Sequence, residues 1–89
     1  MKWGIVMGEF IGKFTQLNGR TATIILEHKL FDKQKLEAQK VNVFEDEDRL
    51  GLILHQQSVY VYKQRIRSME LRDEIVEFAD DKLKISIKF

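Results

Sequence analysis

The residues best equipped for chemistry lie in Tyr60-Val61-Tyr62-Lys63-Gln64-Arg65-Ile66-Arg67, where aromatic rings stand beside basic side chains. Rings stack on bases while lysine and arginine contact phosphates, so Tyr60, Tyr62, Lys63, Arg65 and Arg67 form a candidate nucleic-acid-binding set. Strand alternation works against it. Tyr60 and Tyr62 point to one face with Gln64 and Ile66, whereas Lys63, Arg65 and Arg67 point to the other with Val59 and Val61. The two groups converge only if a bulge or a strand end intervenes near Lys63. The simpler account packs the tyrosines beside Ile53 and leaves the basic tail in water. A second charged run, Glu45-Asp46-Glu47-Asp48, lacks the Asx-and-glycine spacing of a calcium loop and its closing glutamate. It reads as a solvated acidic loop and as the candidate protein-interaction patch.

No catalytic constellation accompanies these runs. His28 and His55 are far apart and belong to no spaced ligand motif. Serine and threonine nucleophiles need a base and an orienting partner, and Ser58, Ser68 and Ser86 have no such motif around them. Gly4, Gly8 and Gly12 recur every four residues but lack the Gly-Lys-Ser/Thr end of a phosphate loop. With no cysteine, disulfides, thiolate metal sites and cysteine nucleophiles are excluded. The expectation is a non-enzyme with no metal and no cofactor.

The elements that must position the two runs read as hairpins. Leu83, Ile85, Ile87 and Phe89 alternate with lysine and serine, and Val76 and Phe78 alternate with Glu77. A turn at Asp80-Asp81 would set Phe78 opposite Leu83, Val76 opposite Ile85 and Glu77 opposite Lys84. A turn at Gln56-Gln57 would set Leu54 opposite Val59, Leu52 opposite Val61, Ile53 opposite Tyr60 and Gly51 opposite Tyr62. Lys40 to Phe44 reads as a short strand ending at the acidic run, and Arg20 to Leu30 as a longer one. Asp32 to Gln39 is the best helix candidate, with Asp32 as its cap and Leu36 as its inward anchor.

The N-terminal third admits two readings. Trp3, Val6, Met7, Phe10, Ile11, Phe14 and Leu17 fall on one helical stripe, which Asn18-Gly19 would cap. Against a helix stand Gly4, Gly8 and Gly12, each costing about 0.8–1 kcal/mol relative to alanine. Asn-Gly between Phe14–Leu17 and Arg20–Thr23 is also a strong two-residue hairpin signal. The hairpin is the reading adopted. The sum is a mainly β fold, a small hairpin-built barrel or sandwich of about six to seven short strands with one short helix.

Eighty-nine residues make a single domain spanning 1–89. A net charge of +1 argues against strong sequence-blind attraction to nucleic acid or anionic membranes. No run reaches the roughly 18 apolar residues of a membrane span. Met1 to Phe14 makes a poor signal peptide, with Glu9 and Lys13 inside it and no small-residue cleavage pattern. A cytoplasmic address is expected.

Tyr62-Lys63-Gln64 followed by Ile66 and Ser68 resembles the end of the Sm-like barrel in the bacterial RNA chaperone family Hfq. That family's motif runs tyrosine-lysine-histidine, then isoleucine-serine, and Gln64 stands where its pocket histidine would be. The order of hairpins is also similar to the YolD-like domains of Gram-positive bacteria and their phages, Sm-like barrels without an established activity. The resemblance implies a small barrel.

Three functions from different classes follow. The leading one is a non-catalytic protein-interaction or accessory module, possessed of separate acidic and basic patches that suit another protein or self-association. The alternative is an Sm-like barrel binding single-stranded nucleic acid through Tyr60, Tyr62, Lys63, Arg65 and Arg67. The least favoured is membrane-surface association through an amphipathic Met1–Leu17 helix.

Overall fold

Phe10 and Phe14 lie one helical turn apart and both are fully buried. They form the inward stripe of helix α1 (Met7–Thr15) in the computed structural model, which describes residues 7–30 and 33–89. Their rings stack 6.3 Å apart and meet Phe78 edge-on at 5.6 and 5.4 Å. The helix therefore replaces the expected N-terminal hairpin, and a magnitude explains why. Gly8 and Gly12 together cost the helix about 2 kcal/mol. Burying each phenylalanine returns about 1.5–3 kcal/mol, and Leu17 joins them in the core. Trp3 and Val6, the rest of the stripe, and Gly4 lie outside the described residues.

Asn-Gly here ends a helix instead of turning a hairpin. Gly19 adopts a φ of 85°, the left-handed conformation of a helix C-cap. Its amide donates to the Val41 carbonyl at 2.6 Å, and the Val41 amide donates to the Arg20 carbonyl at 2.8 Å. Asn18 Oδ1 accepts from the Val43 amide at 2.9 Å. The helix end is thus stitched to a chain segment more than twenty residues on, a partner that local sequence cannot reveal.

Among the described residues eight strands form two antiparallel sheets. The five-stranded sheet runs β2-β1-β8-β7-β6, from β1 (Thr21–His28), β2 (Lys33–Lys40), β6 (Ser68–Arg72), β7 (Ile75–Ala79) and β8 (Leu83–Lys88). The three-stranded sheet runs β3-β4-β5, from β3 (Asn42–Glu45), β4 (Arg49–Ile53) and β5 (Ser58–Tyr62). Among the described residues β5 pairs with β4 and β6 with β7, so strand pairing does not close a barrel. Val41, between β2 and β3, carries the chain from one sheet into the other and is fully buried.

The helix expected over 32–39 is instead strand β2; its proposed cap, Asp32, lies outside the described residues. One inward leucine gives a helix too little apolar stripe to hold it, whereas β1 offers a full edge of backbone partners. Leu36 sits opposite Ile24, and an extra residue near Ala38, at a φ of 53°, forms a bulge.

Both hairpins read from the sequence are present, each displaced by two in register. Phe78 faces Ile85, Val76 faces Ile87 and Glu77 faces Ser86. The cause is Asp80: its Oδ1 accepts from the amides of Lys82 and Leu83, both at 2.8 Å, which fixes it as the first turn residue. The turn centre moves to Asp81-Lys82. In the other hairpin the Leu54 amide donates to the Gln57 carbonyl at 2.8 Å, moving the centre to His55-Gln56. A shift of two keeps every side chain on its face, so the burial pattern read from alternation survives. A third hairpin, β6–β7, sets Met69 opposite Phe78 and Leu71 opposite Val76. It brings the strand total above the six or seven expected.

One buried cluster joins α1 to both sheets: Phe10 and Phe14, then Ile24, Leu26, Phe78, Ile85 and Ile87, then Leu50, Leu52, Leu54 and Val61. On the outward face of the five-stranded sheet, charges satisfy one another. Glu77 Oε2 accepts from the Ser86 hydroxyl at 2.8 Å and lies 3.7 Å from Lys84 Nζ; Arg72 Nε is 2.7 Å from Glu70.

Candidate protein-docking face

Leu50 and Leu52 are buried, so alternation turns Arg49, Gly51 and Ile53 outward from the central strand of the three-stranded sheet. Pairing then fixes their neighbours. Phe44 faces Gly51, and Gly51 faces Tyr60, making one row across three strands. Ile53 faces Asn42 and Ser58, and Arg49 faces Tyr62.

Gly51 is what lets this row assemble. With no side chain between them, the Phe44 and Tyr60 rings reach across the central strand and meet edge-on, centroids 5.7 Å apart at 85°. A Cβ on Gly51 would stand 2.5 Å from Tyr60 Cδ1 and 3.2 Å from the Val59 carbonyl oxygen. The sequence marks Gly51 as a glycine opposite an aromatic, and the structure corrects the aromatic from Tyr62 to Tyr60. Arg49 completes the cluster, its guanidinium carbon 5.2 Å from the Phe44 centroid and 5.0 Å from that of Tyr60. Tyr60, Tyr62 and Ile53 remain 43%, 54% and 39% exposed.

The acidic run ends β3 with Glu45 and makes the β3–β4 turn with Asp46, Glu47 and Asp48, and its members divide. Asp46 Oδ1 accepts from the amides of Asp48 at 2.8 Å and Arg49 at 2.7 Å, while its Oδ2 lies 3.6 Å from Arg49. Those two backbone hydrogen bonds, with help from the Arg49 charge, hold its carboxyl below the usual carboxylate range. Glu45 is bound to Lys63, with Nζ to Oε2 at 2.6 Å. Glu47 and Asp48 are exposed and make no side-chain ion pair with the described residues.

The strand end required for rings and charges to converge does exist. β5 stops at Tyr62, and Lys63–Arg65 form a single 3-10 turn. The turn rotates Ile66 into the core at 1% exposure, off the face that strict alternation would give it. It also turns Lys63 back onto Glu45, while Arg65, the last residue of the turn, and Arg67 beyond it are exposed. Of the five residues read as a nucleic-acid set, Tyr60 and Tyr62 belong to the face, Lys63 is engaged, and Arg65 and Arg67 follow the strand.

Sequence reasoning missed Phe44 and Arg49. The signal that could have found them is the β3–β4–β5 register, which places Phe44 and Tyr60 on either side of Gly51. His28 lies half-buried at the end of β1 and His55 exposed in the β4–β5 turn. Among the described residues no group of histidine, aspartate and glutamate could hold a metal ion, and no helix is long and apolar enough to cross a membrane. Comparison of the chain with protein-family models, curated proteins and solved structures gave no match.

Proposed function

We propose that this chain is a non-catalytic protein-interaction module that docks a partner on the outer face of its three-stranded sheet. The observation that supports this reading is the row Phe44–Gly51–Tyr60 with Arg49 laid over both rings and the Tyr60 and Tyr62 rings exposed to solvent. Tyrosine and arginine are enriched at the energetic centres of protein interfaces, and phenylalanine in interfaces generally. Their rotamers are already fixed by mutual contact here, which lowers the entropy lost on docking. The exposed carboxylates of Glu47 and Asp48 border the face. The partner that fits is a protein presenting apolar side chains flanked by lysine or arginine.

A single-stranded nucleic acid is the second reading, favoured by the exposure of Tyr60 and Tyr62 beside Arg49. Charge weighs against it. Asp46 engages Arg49 and Glu45 engages Lys63, so the cations nearest the rings are already matched, and Glu47 and Asp48 would repel phosphates.

Pull-down from nuclease-treated host lysate, with native, Tyr60→Ala and Lys88→Ala chains as bait, tests the proposal. A protein captured equally by native and Lys88→Ala baits and roughly tenfold less by Tyr60→Ala supports it, the loss expected of a central aromatic anchor. Capture unchanged by Tyr60→Ala sinks it. Capture that vanishes with nuclease, together with oligonucleotide binding that falls steeply with salt, moves the assignment to nucleic acid.

A further inference from the structure

Backbone groups along β5 alternate between bonding to β4 and pointing away from it. The Leu54 amide donates to the Gln57 carbonyl and the Lys63 amide to the Asp48 carbonyl, both at 2.8 Å, one at each end of the β4–β5 ladder. Counting inward by twos from either end, the hydrogen-bonded pairs are Leu52 with Val59 and Leu50 with Val61. Ser58, Tyr60 and Tyr62 therefore aim their amides away from β4, along the plane of the sheet. Among the described residues no hydrogen bond reaches those amides. The Tyr62 carbonyl opens the 3-10 turn, which leaves the carbonyls of Ser58 and Tyr60 as the outward acceptors.

The other sheet edges are guarded. β2 carries Lys33, Lys35, Glu37 and Lys40 and the bulge near Ala38. The Val43 amide on the outer side of β3 is taken by Asn18. β6 carries Glu70 and Arg72. By contrast β5, Ser-Val-Tyr-Val-Tyr, has no charge, glycine or proline and is rich in strand-favouring residues. An uncharged, unpaired edge of this kind is a template for another strand.

The sequence of β5 selects a second copy of this chain as that strand. Val59-Tyr60-Val61 reads the same in both directions. Antiparallel pairing about Tyr60 sets Tyr60 against Tyr60, Val59 against Val61 and Ser58 against Tyr62, with each side chain beside one on its own face. The outward backbone groups meet at that same register, and no like charges are brought together. The Tyr60 ring also leans over Gly51 toward Phe44, away from the edge, which keeps the approach clear.

We infer that two copies pair antiparallel along β5 about a two-fold axis at Tyr60, joining their three-stranded sheets into one. The Tyr60 amide of each copy donates to the Tyr60 carbonyl of the other, and the Tyr62 amide to the Ser58 carbonyl. Val59, half-buried in the single chain, gains cover from Val61 of the second copy. Two five-residue strands bury less than the roughly 1,600 Å² of a standard interface, so the dimer is a weak one that forms as concentration rises. Pairing in the plane of the sheet does not rest on a partner docking over the rings, and it sets two aromatic rows side by side.

Sedimentation equilibrium and amide hydrogen exchange on the full chain, from about 10 µM to about 1 mM, test the inference. A monomer–dimer equilibrium is expected, with exchange at Tyr60 and Tyr62 slowing severalfold as concentration rises while Val59 and Val61 are slow throughout. Two double variants then read the register. Ser58→Glu with Tyr62→Glu sets like charges opposite across the axis and should weaken association at least tenfold, whereas Ser58→Lys with Tyr62→Glu sets opposite charges there and should restore it. These chains differ only at position 58, an exposed site, so a folding defect from Tyr62→Glu is common to both. A monomer at about 1 mM, or equal association of the two variants, overturns the inference. So does protection of the Tyr60 and Tyr62 amides that needs an added host protein instead of higher concentration, which would give the edge to a foreign strand.

Discussion

The two sheets turn opposite kinds of surface to the solvent. The five-stranded sheet shows a ladder of charges, Glu70, Arg72, Glu77 and Lys84, that are bonded to one another and to Ser86. Covering it would desolvate groups that already have partners, a cost with little return. The three-stranded sheet shows Phe44, Tyr60, Tyr62 and Ile53 with one arginine among them. Covering that face removes apolar area from water and needs few new hydrogen bonds. The strands come from the same short chain and follow the same alternation. What differs is whether the outward positions carry charges or rings.

The comparison can be broken most severely from inside. Phe78→Ala removes the ring that receives both Phe10 and Phe14 and should cost about 3–5 kcal/mol by urea unfolding. Loss of that size would show that the helix is held by the five-stranded sheet. A cost near that of a surface substitution would mean that it is not.

Gly51→Ala attacks the aromatic row directly. The Tyr60 ring must leave its place over the central strand, for about 1–3 kcal/mol of stability and a loss of partner capture. Adding Tyr60→Ala should recover much of the stability without recovering capture, a coupling that a double-mutant cycle reads. Additive effects in that cycle would contradict the row.

Smaller changes sharpen the contrast between strain and ease in the backbone. Ala38→Val places a β-branched residue at a positive φ and should destabilise by about 1–2 kcal/mol, whereas Ala38→Gly should be close to neutral. Gly12→Ala should stabilise by about 0.5–1 kcal/mol, since an added Cβ there meets nothing within 4 Å. A melting-temperature comparison of the three variants decides both claims.

The smallest effect concerns acid. The carboxyl of Asp46 titrates lower in the folded chain than in the unfolded one, so its contribution is complete above the ordinary carboxylate range. It is lost as the pH falls through that range and then through the lowered folded value. Asp46→Ala should therefore narrow its deficit in melting temperature relative to the native chain as the solution is made strongly acidic. A constant gap from neutral to strongly acid solution would show that the turn does not depend on the charge.

How much of this was legible depends on how local the cause was. Alternation of Leu83, Ile85 and Ile87 against lysines gave the β8 strand, because period-two burial is written residue by residue. The hairpin registers were missed by two because one side chain, Asp80, bonds to the amides of the turn and decides where it begins. At Asn18-Gly19 two local signals competed, and distant Val41 and Val43 settled the contest. The acidic run was visible as a charge cluster. That Asp46 caps the turn and Glu45 holds Lys63 was not, since both facts need the strands already paired.

By itself the sequence determined a mainly β chain without cysteine chemistry, two of its hairpins, the faces of their strands and the unusual place of a glycine near aromatics. These follow from periodicity and residue type, which act over a few neighbours. Only the tertiary structure decided that Met7–Thr15 form a helix, that residues 33–40 are a strand, and that Phe44, Arg49 and Tyr60 form one cluster. Each of those outcomes sets a local preference worth about 1 kcal/mol per residue against burial or pairing with distant chain, which is larger. The long-range term wins, and it cannot be read until the chain has folded.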